Sequence, residues 1–133
     1  MITSRQAYTL IEAGAARARE LAIAVNIAVL DAGAHLKEFR RMDGAVLGSI
    51  DVATSKARTA VLFQIPSEAV WEYCKPGAPA HALEISNGGL APFAGGLPLF
   101  DTNGALIGAI GISGGAVPQD LEVAQAAVAA LKS

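Results

Sequence analysis

Apolar residues recur at helical spacing along the first part of the chain. Thr3 and Gln6 stand at the spacing of a capping box, in which each side chain accepts a hydrogen bond from the other residue's backbone N–H. The apolar positions that follow are Ala7, Leu10, Ile11, Ala15, Ala18, Leu21 and Ala22. This pattern predicts a helix from about residue 4 to residue 23.

Two later stretches alternate between apolar and polar residues on either side of a turn, which is typical of β-hairpins. The first hairpin is predicted from Val25 to Leu30 and from Leu36 to Arg40, with its turn at Asp31-Ala32-Gly33. The second is predicted from Leu97 to Phe100 and from Leu106 to Ile112, with its turn at Asp101-Thr102-Asn103-Gly104.

Helical spacing returns three more times along the chain. The predicted helices span Ser49 to Phe63, Ser67 to about Lys75, and Gln119 to Leu131. Pro66 and Pro118 precede the second and third of these helices, because proline is well tolerated only where a helix begins.

Residues 76–98 hold four prolines and five glycines, a composition that resists regular structure. The same stretch carries the apolar residues Leu83, Ile85, Leu90, Phe93 and Leu97. A flexible linker would be more polar, so we expect a folded loop that packs on the body of the protein. Loops of this length inside a small domain are usually functional or mobile.

The predicted order of elements is α, ββ, αα, loop, ββ, α, and it indicates an α+β fold. Hairpins favour an antiparallel sheet, against which the helices would pack. The length of 133 residues corresponds to a single domain over residues 1–133.

Composition excludes several classes of function. A net charge of −2, a pI near 5.6 and the lack of a Lys/Arg cluster argue against nucleic acid as a partner. Mean hydropathy is high at +0.43, yet charges or prolines interrupt every apolar run before it could span a membrane. The start of the chain lacks the pattern of a signal peptide, so a cytoplasmic location is expected. The single cysteine, Cys74, excludes an internal disulfide and a multi-cysteine metal site.

Small residues supply much of the hydrophobicity, since 28 of the 133 residues are alanine and 14 are glycine. With only 17% charged residues, the domain is expected to expose apolar surface. We therefore expect a homo-oligomer.

Two glycine pairs, Gly88-Gly89 and Gly95-Gly96, are the most distinctive local motif. Consecutive glycines can direct backbone N–H groups toward one point and bind a carboxylate, or they can simply form tight turns. Neither pair belongs to a dinucleotide-binding or P-loop motif, which disfavours nucleotide binding.

Charged residues offer further candidates. Arg41 and Asp43 end the first hairpin, where the arginine could clamp a carboxylate or pair locally with the aspartate. Lys56 and Arg58 lie on the second helix, and a surface position is favoured for both. His81 and Glu84 stand three residues apart in the loop and would form an acid/base pair if that segment turned helically.

Several segments together resemble the GlcG/HbpS-like family of haem-binding or haem-degrading proteins, which is related to the C-terminal domain of PduO-type proteins. The resemblance covers nearly the whole chain, in the family's order. The segments are Val29–Leu36, Phe39–Ala45, Ser55–Ala60, Pro76–Pro79, Leu83–Leu90, Phe93–Pro98 and Gly108–Gly115.

The resemblance implies a profilin-like fold, with a five-stranded antiparallel sheet flanked by helices and assembled into dimers or higher oligomers. It also implies a ligand pocket around the recurrent segments. The implied ligand-binding residues are Arg41, Lys56, Asn87, Gly88, Gly89, Phe93, Gly95 and Gly96.

Three functions are compatible with this resemblance. In the first, an apolar pocket binds haem, Arg40, Arg41 or Lys56 meets the propionates, and His81 or His35 approaches the iron. No other metal site is expected. The second is a cofactor-independent lyase or isomerase for a small aromatic or hydroxy carboxylate, such as a hydroxylaminobenzoate lyase. The third is a structural, oligomer-forming accessory protein.

In the lyase or isomerase, Arg41 would hold the carboxylate, while Glu84, His81 or Asp43 would move protons. The predicted site lies between the loop of residues 76–98 and the end of the first hairpin, completed where necessary by a neighbouring subunit.

Overall fold

The computed structural model describes residues 1–132 and contains four α-helices and four β-strands within that range. In chain order the elements are α1 (Ser4–Glu20), β1 (Asn26–Asp31), β2 (Leu36–Arg41), α2 (Ser49–Phe63), α3 (Ser67–Cys74), β3 (Gly96–Phe100), β4 (Leu106–Ser113) and α4 (Val117–Lys132). A single 3₁₀ turn, Leu83–Ile85, lies in the loop between α3 and β3. The predicted order of elements and the α+β class are confirmed.

The predicted capping box begins α1. Thr3 Oγ1 accepts a hydrogen bond from the Gln6 N–H at 3.1 Å, and Gln6 Oε1 accepts one from the Thr3 N–H at 2.9 Å. The helix ends at Glu20, earlier than predicted, because Ala22 adopts a left-handed φ of 58° that a right-handed helix cannot contain.

The sheet has four antiparallel strands in the order β2-β1-β4-β3. The prediction of a fifth strand is wrong for the described residues. The two hairpins supply all four strands, while the prolines and glycines between α3 and β3 leave that segment as turns and bends. The profilin-like label stays a prediction.

Helices cover both faces of the sheet. On one face, α1 and α4 pack on the large side chains of the strands, such as Ile27, Val29, Ile110 and Ile112. On the other face, α2 packs through alanines against small residues of β1 and β4. Gly111 faces α2 so closely that a Cβ atom there would overlap the Ala53 carbonyl oxygen. Much of the alanine content therefore serves close helix–sheet packing.

Within residues 1–132, no helix combines the length and apolar character that crossing a bilayer requires.

Candidate functional site

The segment 87–91 is held against α2 by side chains that project from that helix. The guanidinium of Arg58 donates to the Asn87 carbonyl at 2.7 Å and to the Gly89 carbonyl at 3.3 Å. Thr59, the next residue of α2, accepts a hydrogen bond through Oγ1 from the Ala91 N–H at 3.0 Å. Arg58 is partly exposed and so lies at the surface, although its guanidinium is bonded to the loop.

Ser67, the first residue of α3, fixes the next part of the loop. Its Oγ donates to the Phe93 carbonyl at 2.6 Å and accepts a hydrogen bond from the Gly96 N–H at 2.9 Å. The loop is therefore tied to α2 and α3 at several points and enters β3 in a defined position. This agrees with the prediction of a folded loop.

The two glycine pairs have different environments. Gly88 and Gly89 adopt φ values of 74° and 105° in open space, as residues of an exposed turn do. Gly95 adopts a φ of 130° against the Lys56 side chain, and a Cβ atom on Gly96 would overlap the Lys56 carbonyl. Because the Gly96 N–H already donates to Ser67, this pair serves close packing within the chain. The ligand-binding role of the four glycines stays a prediction.

Lys56 is fully buried, so the expectation of a surface position is wrong. Its Nζ donates to the Ile112 carbonyl at 2.8 Å and to Asp120 Oδ2, at the start of α4, at 3.0 Å. The same Nζ lies 5.1 Å from the centre of the Phe93 ring. Because its ammonium already has these partners, a role in holding a ligand stays a prediction.

Burial shifts the pKa of both Lys56 and Asp120. Desolvation lowers the pKa of Lys56, and the nearby charge of Asp120 opposes that shift. Desolvation also raises the pKa of Asp120, against the charge of Lys56 and a 2.9 Å hydrogen bond from the Gly115 N–H. The 3.0 Å separation of Nζ and Oδ2 makes this an ion pair between α2 and α4, and burial opposes its charged state.

The cations that end the first hairpin lie at the other edge of the sheet. Arg40 pairs with Glu12 of α1 at 2.6 Å, while Arg41 and Asp43 are exposed. Arg41 lies on β2 and Gly96 lies on β3, with β1 and β4 between them. At about 4.8 Å per strand, roughly 14 Å separates these backbones. Arg41 and Gly96 thus lie on opposite edge strands, and the predicted site between the hairpin end and the loop stays a prediction.

The two histidines are exposed and lie on different turns. His35 lies on the β1–β2 turn, 3.5 Å from Asp31, and its side chain is 81% exposed. His81 lies in the turn that follows α3. Within the described residues, no hydrogen bond or ion pair joins His81 to Glu84.

Glu84 lies on the 3₁₀ turn, close to Cys74 at the end of α3. Burial, together with the carboxylate of Glu84, raises the pKa of the Cys74 thiol. Glu84 Oε1 is shielded from water and has no hydrogen-bond partner among residues 1–132. Cys74 itself is a fully buried free thiol.

Two cavities flank α3. The first, here called the Tyr73 groove, has a volume of about 350 Å³ and is lined by Phe63, Ile65, Val70, Tyr73, Ala80 and Leu83. The second, here called the Trp71 pocket, has a volume of about 440 Å³ and is lined by Glu68, Trp71, Pro92, Phe93, Ala94 and Val117. A third cavity of about 500 Å³ lies between α1, α4 and the β3 edge, away from the loop. The sequence patterns did not predict Glu68 or Trp71 as residues that line a cavity, because helical spacing alone does not indicate which side of a short helix faces a cavity.

Known proteins match this chain over almost its full length. The family described as "Haem degrading protein HbpS-like" matches residues 2–129. The chain belongs to the HbpS-like family. The resemblance to GlcG/HbpS-like proteins that the sequence motifs predicted is thereby confirmed.

Relatives and a solved structure support this assignment. The chain is 35% identical over 128 residues to a 15.0 kDa protein of the dhaT-dhaS intergenic region of Citrobacter freundii, covering 96% of this chain and 89% of the relative. It is 35% identical over 131 residues to the corrinoid adenosyltransferase PduO of Citrobacter freundii, covering 98% of this chain and 39% of that longer protein. A crystal structure of a PduOC–haem complex superimposes with a TM-score of 0.93 at 35% identity, covering 97% of this chain and 94% of the other.

Proposed function

We propose that this HbpS-like protein binds haem, or a flat apolar ligand of the same kind, in the Tyr73 groove. The haem complex of the related PduOC supports the class of ligand. We infer the location of the haem site from the position of His81. His81 is not itself among the residues that line the groove, but it stands in the sequence between Ala80 and Leu83, which both line it.

The residues present in this groove fit haem. Six side chains line it, none of them charged, which suits a macrocycle that must leave water. The phenol of Tyr73 lines the groove and the imidazole of His81 is exposed on the adjoining turn; proteins use both kinds of side chain as axial ligands of haem iron. When bound, haem supplies an iron centre that can carry redox or oxygen chemistry.

The chain's own residues bind and orient such a ligand. Phe63, Ile65 and Leu83 offer apolar contact and exclude water from one side of the groove. The 3₁₀ turn that carries Leu83 starts directly after His81 and Ala82, so the loop's folded conformation positions the imidazole. Arg40 is paired with Glu12 and Lys56 with Asp120, so propionates at this groove would be left to solvent or to a second copy of the chain.

Titration of the purified protein with haemin tests this proposal. We expect a saturable shift of the Soret band, and we expect His81→Ala to change its position and weaken binding. His35→Ala is the matched control, since it removes the other exposed histidine, which lies on a different turn. Absence of saturable binding, or equal effects of the two substitutions, would overturn the proposal.

The alternative prediction is a cofactor-independent lyase or isomerase. Arg41 lies on the edge strand β2, whereas the loop that carries His81 and Glu84 leads into the opposite edge strand β3, which favours a substrate site completed at a contact between subunits. The exposed side chains of Val46 and Leu47, 65% and 73% accessible, support the predicted homo-oligomer. Turnover of hydroxylaminobenzoate that Glu84→Gln and Arg41→Ala each abolish would favour this alternative over haem binding.

A further inference from the structure

The Trp71 pocket has the composition of a binding site that is separate from the proposed haem groove. Its wall is apolar and aromatic, formed by the end of the loop, α3 and the start of α4, with Glu68 as its one charged lining residue. The pocket and the Tyr73 groove share no lining residue, although both lie on α3.

One oxygen of Glu68 lacks a partner. Glu68 Oε2 is shielded from water and accepts no hydrogen bond from residues 1–132. Three other atoms share this property, namely Asn26 Oδ1, Glu38 Oε2 and Glu84 Oε1. Of the four, the Glu68 oxygen belongs to a residue that lines one of the three cavities described above. Because Oε2 is closed to a water-sized group, it is not open to the pocket; Glu68 would meet a ligand through Oε1, which is not among these shielded atoms, and a cationic donor there would also offset the charge on Oε2.

The surroundings of Glu68 specify the ligand's chemistry. A carboxylate is an acceptor, so the ligand must bring an N–H donor, and a positive charge strengthens that bond. The ring faces of Trp71 and Phe93 favour a flat apolar body and attract cations. An anion would meet the like charge of Glu68. It would also find no free cation in the lining, because the nearby Lys56 is fully buried and bonded to Asp120.

We propose that the Trp71 pocket binds a small organic cation with an aromatic ring, such as an aryl-alkyl amine, whose ammonium group pairs with the Glu68 carboxylate through Oε1. The ring lies against Trp71 and Phe93, and the side chains of Ala94 and Val117 extend this open apolar wall. The volume of about 440 Å³ accommodates a ligand with one or two rings.

Trp71 is the only tryptophan in the chain, so its fluorescence reports directly on this pocket. The probes are 2-phenylethylamine, the neutral 2-phenylethanol and the anionic 3-phenylpropionate, which share a ring and differ in charge. We expect a saturable change of Trp71 fluorescence with the amine at the lowest concentration and the weakest response with the carboxylate. Equal midpoints for the three probes, or no response to the amine, would overturn the proposal.

Substitutions distinguish the contribution of the Glu68 carboxylate to binding from that of the apolar cavity. Glu68→Gln should weaken amine binding by about tenfold to a hundredfold, as expected for loss of a charged hydrogen bond. Glu72→Gln is the matched control, because Glu72 lies one turn further along α3 and is exposed beside Lys75. Val117→Phe keeps Glu68 and fills the cavity, and it should also abolish binding.

An unchanged affinity in Glu68→Gln, measured on a variant whose circular dichroism matches the wild type, would overturn the proposal. So would wild-type affinity in Val117→Phe. His81→Ala should leave amine binding unchanged, which keeps this test independent of the haem proposal.

Discussion

Lys56 of α2 and Asp120 of α4 form an ion pair with a 3.0 Å separation of Nζ and Oδ2, at a point where both side chains are almost completely buried. The pair crosses the end of β4, because the same Nζ also binds the Ile112 carbonyl. It therefore ties the helix on one face of the sheet to a helix on the other. Phe93 and Gly95 cover it from the loop side, so the ion pair also supports the wall of the Trp71 pocket.

Removal of one partner should be strongly destabilising. Lys56→Met leaves the Asp120 carboxylate buried without its counter-charge, and we expect the free energy of unfolding to fall by about 3–5 kcal/mol. The double variant Lys56→Met/Asp120→Leu should recover much of this loss, since no unpaired charge remains. Urea unfolding of the three proteins provides the measurement.

Lys75→Met is the matched control for Lys56→Met. Lys75 pairs with Glu72 at 3.1 Å on the surface, where loss of the pair should cost less than about 1 kcal/mol. Equal losses in Lys56→Met and Lys75→Met would contradict the structural role assigned to the buried pair.

Gly96→Ala should be far more damaging than Gly88→Ala. A Cβ atom on Gly96 overlaps the backbone carbonyl of Lys56, which cannot retreat without moving α2. At Gly88 the space is open, and only the left-handed φ of 74° is unfavourable, at about 1 kcal/mol. Thermal unfolding of both variants checks the order, and an equally mild effect at Gly96 would contradict the close packing of loop and helix.

The two hairpin turns have the same hydrogen-bond pattern and backbone conformation, so opposite substitutions can be compared at the same turn position. Asp31 and Asp101 each accept hydrogen bonds from backbone N–H groups two and four residues later. The fourth residue of each turn is left-handed, with φ values of 66° at Ala34 and 81° at Gly104. Ala34→Gly should therefore stabilise the protein by up to about 1 kcal/mol, and Gly104→Ala should destabilise it by a similar amount. Shifts of the same sign in both unfolding curves would refute the shared turn geometry.

Asp31 should contribute to the acid sensitivity of the fold. Hydrogen bonds from the N–H groups of His35 and Gly33 lower the pKa of Asp31 below its ordinary value of 3.8. A lowered folded-state pKa means that this stabilisation is present above the unfolded value and is lost as pH falls through the folded value. Asp31→Asn should be less stable than wild type at neutral pH, and the gap should narrow in acid. Unfolding free energies at several pH values check this, and a gap that does not change with pH would exclude the contribution.

Local sequence determined most of the secondary structure, because its signals act over a few residues. The capping box of Thr3 and Gln6, the turn aspartates Asp31 and Asp101, and the apolar periodicities placed each helix and strand within a few positions. Composition also carried correct information, since the abundance of alanine and glycine corresponds to the close approach of α2 to the sheet. The motif order was sufficient to predict the family.

Only the tertiary structure decided which residues meet. The contact between Lys56 and Asp120 spans 64 positions, so no local pattern could predict that this lysine is buried. The sequence predicts one site for Arg41 and the loop, and only the pairing of β4 with β1 places β2 and β3 at opposite edges. Glu68 became a candidate only when the loop and α4 closed a cavity against α3. Whether a residue is buried, and which residues it contacts, depends on packing between distant parts of the chain, and a local sequence pattern does not specify that packing.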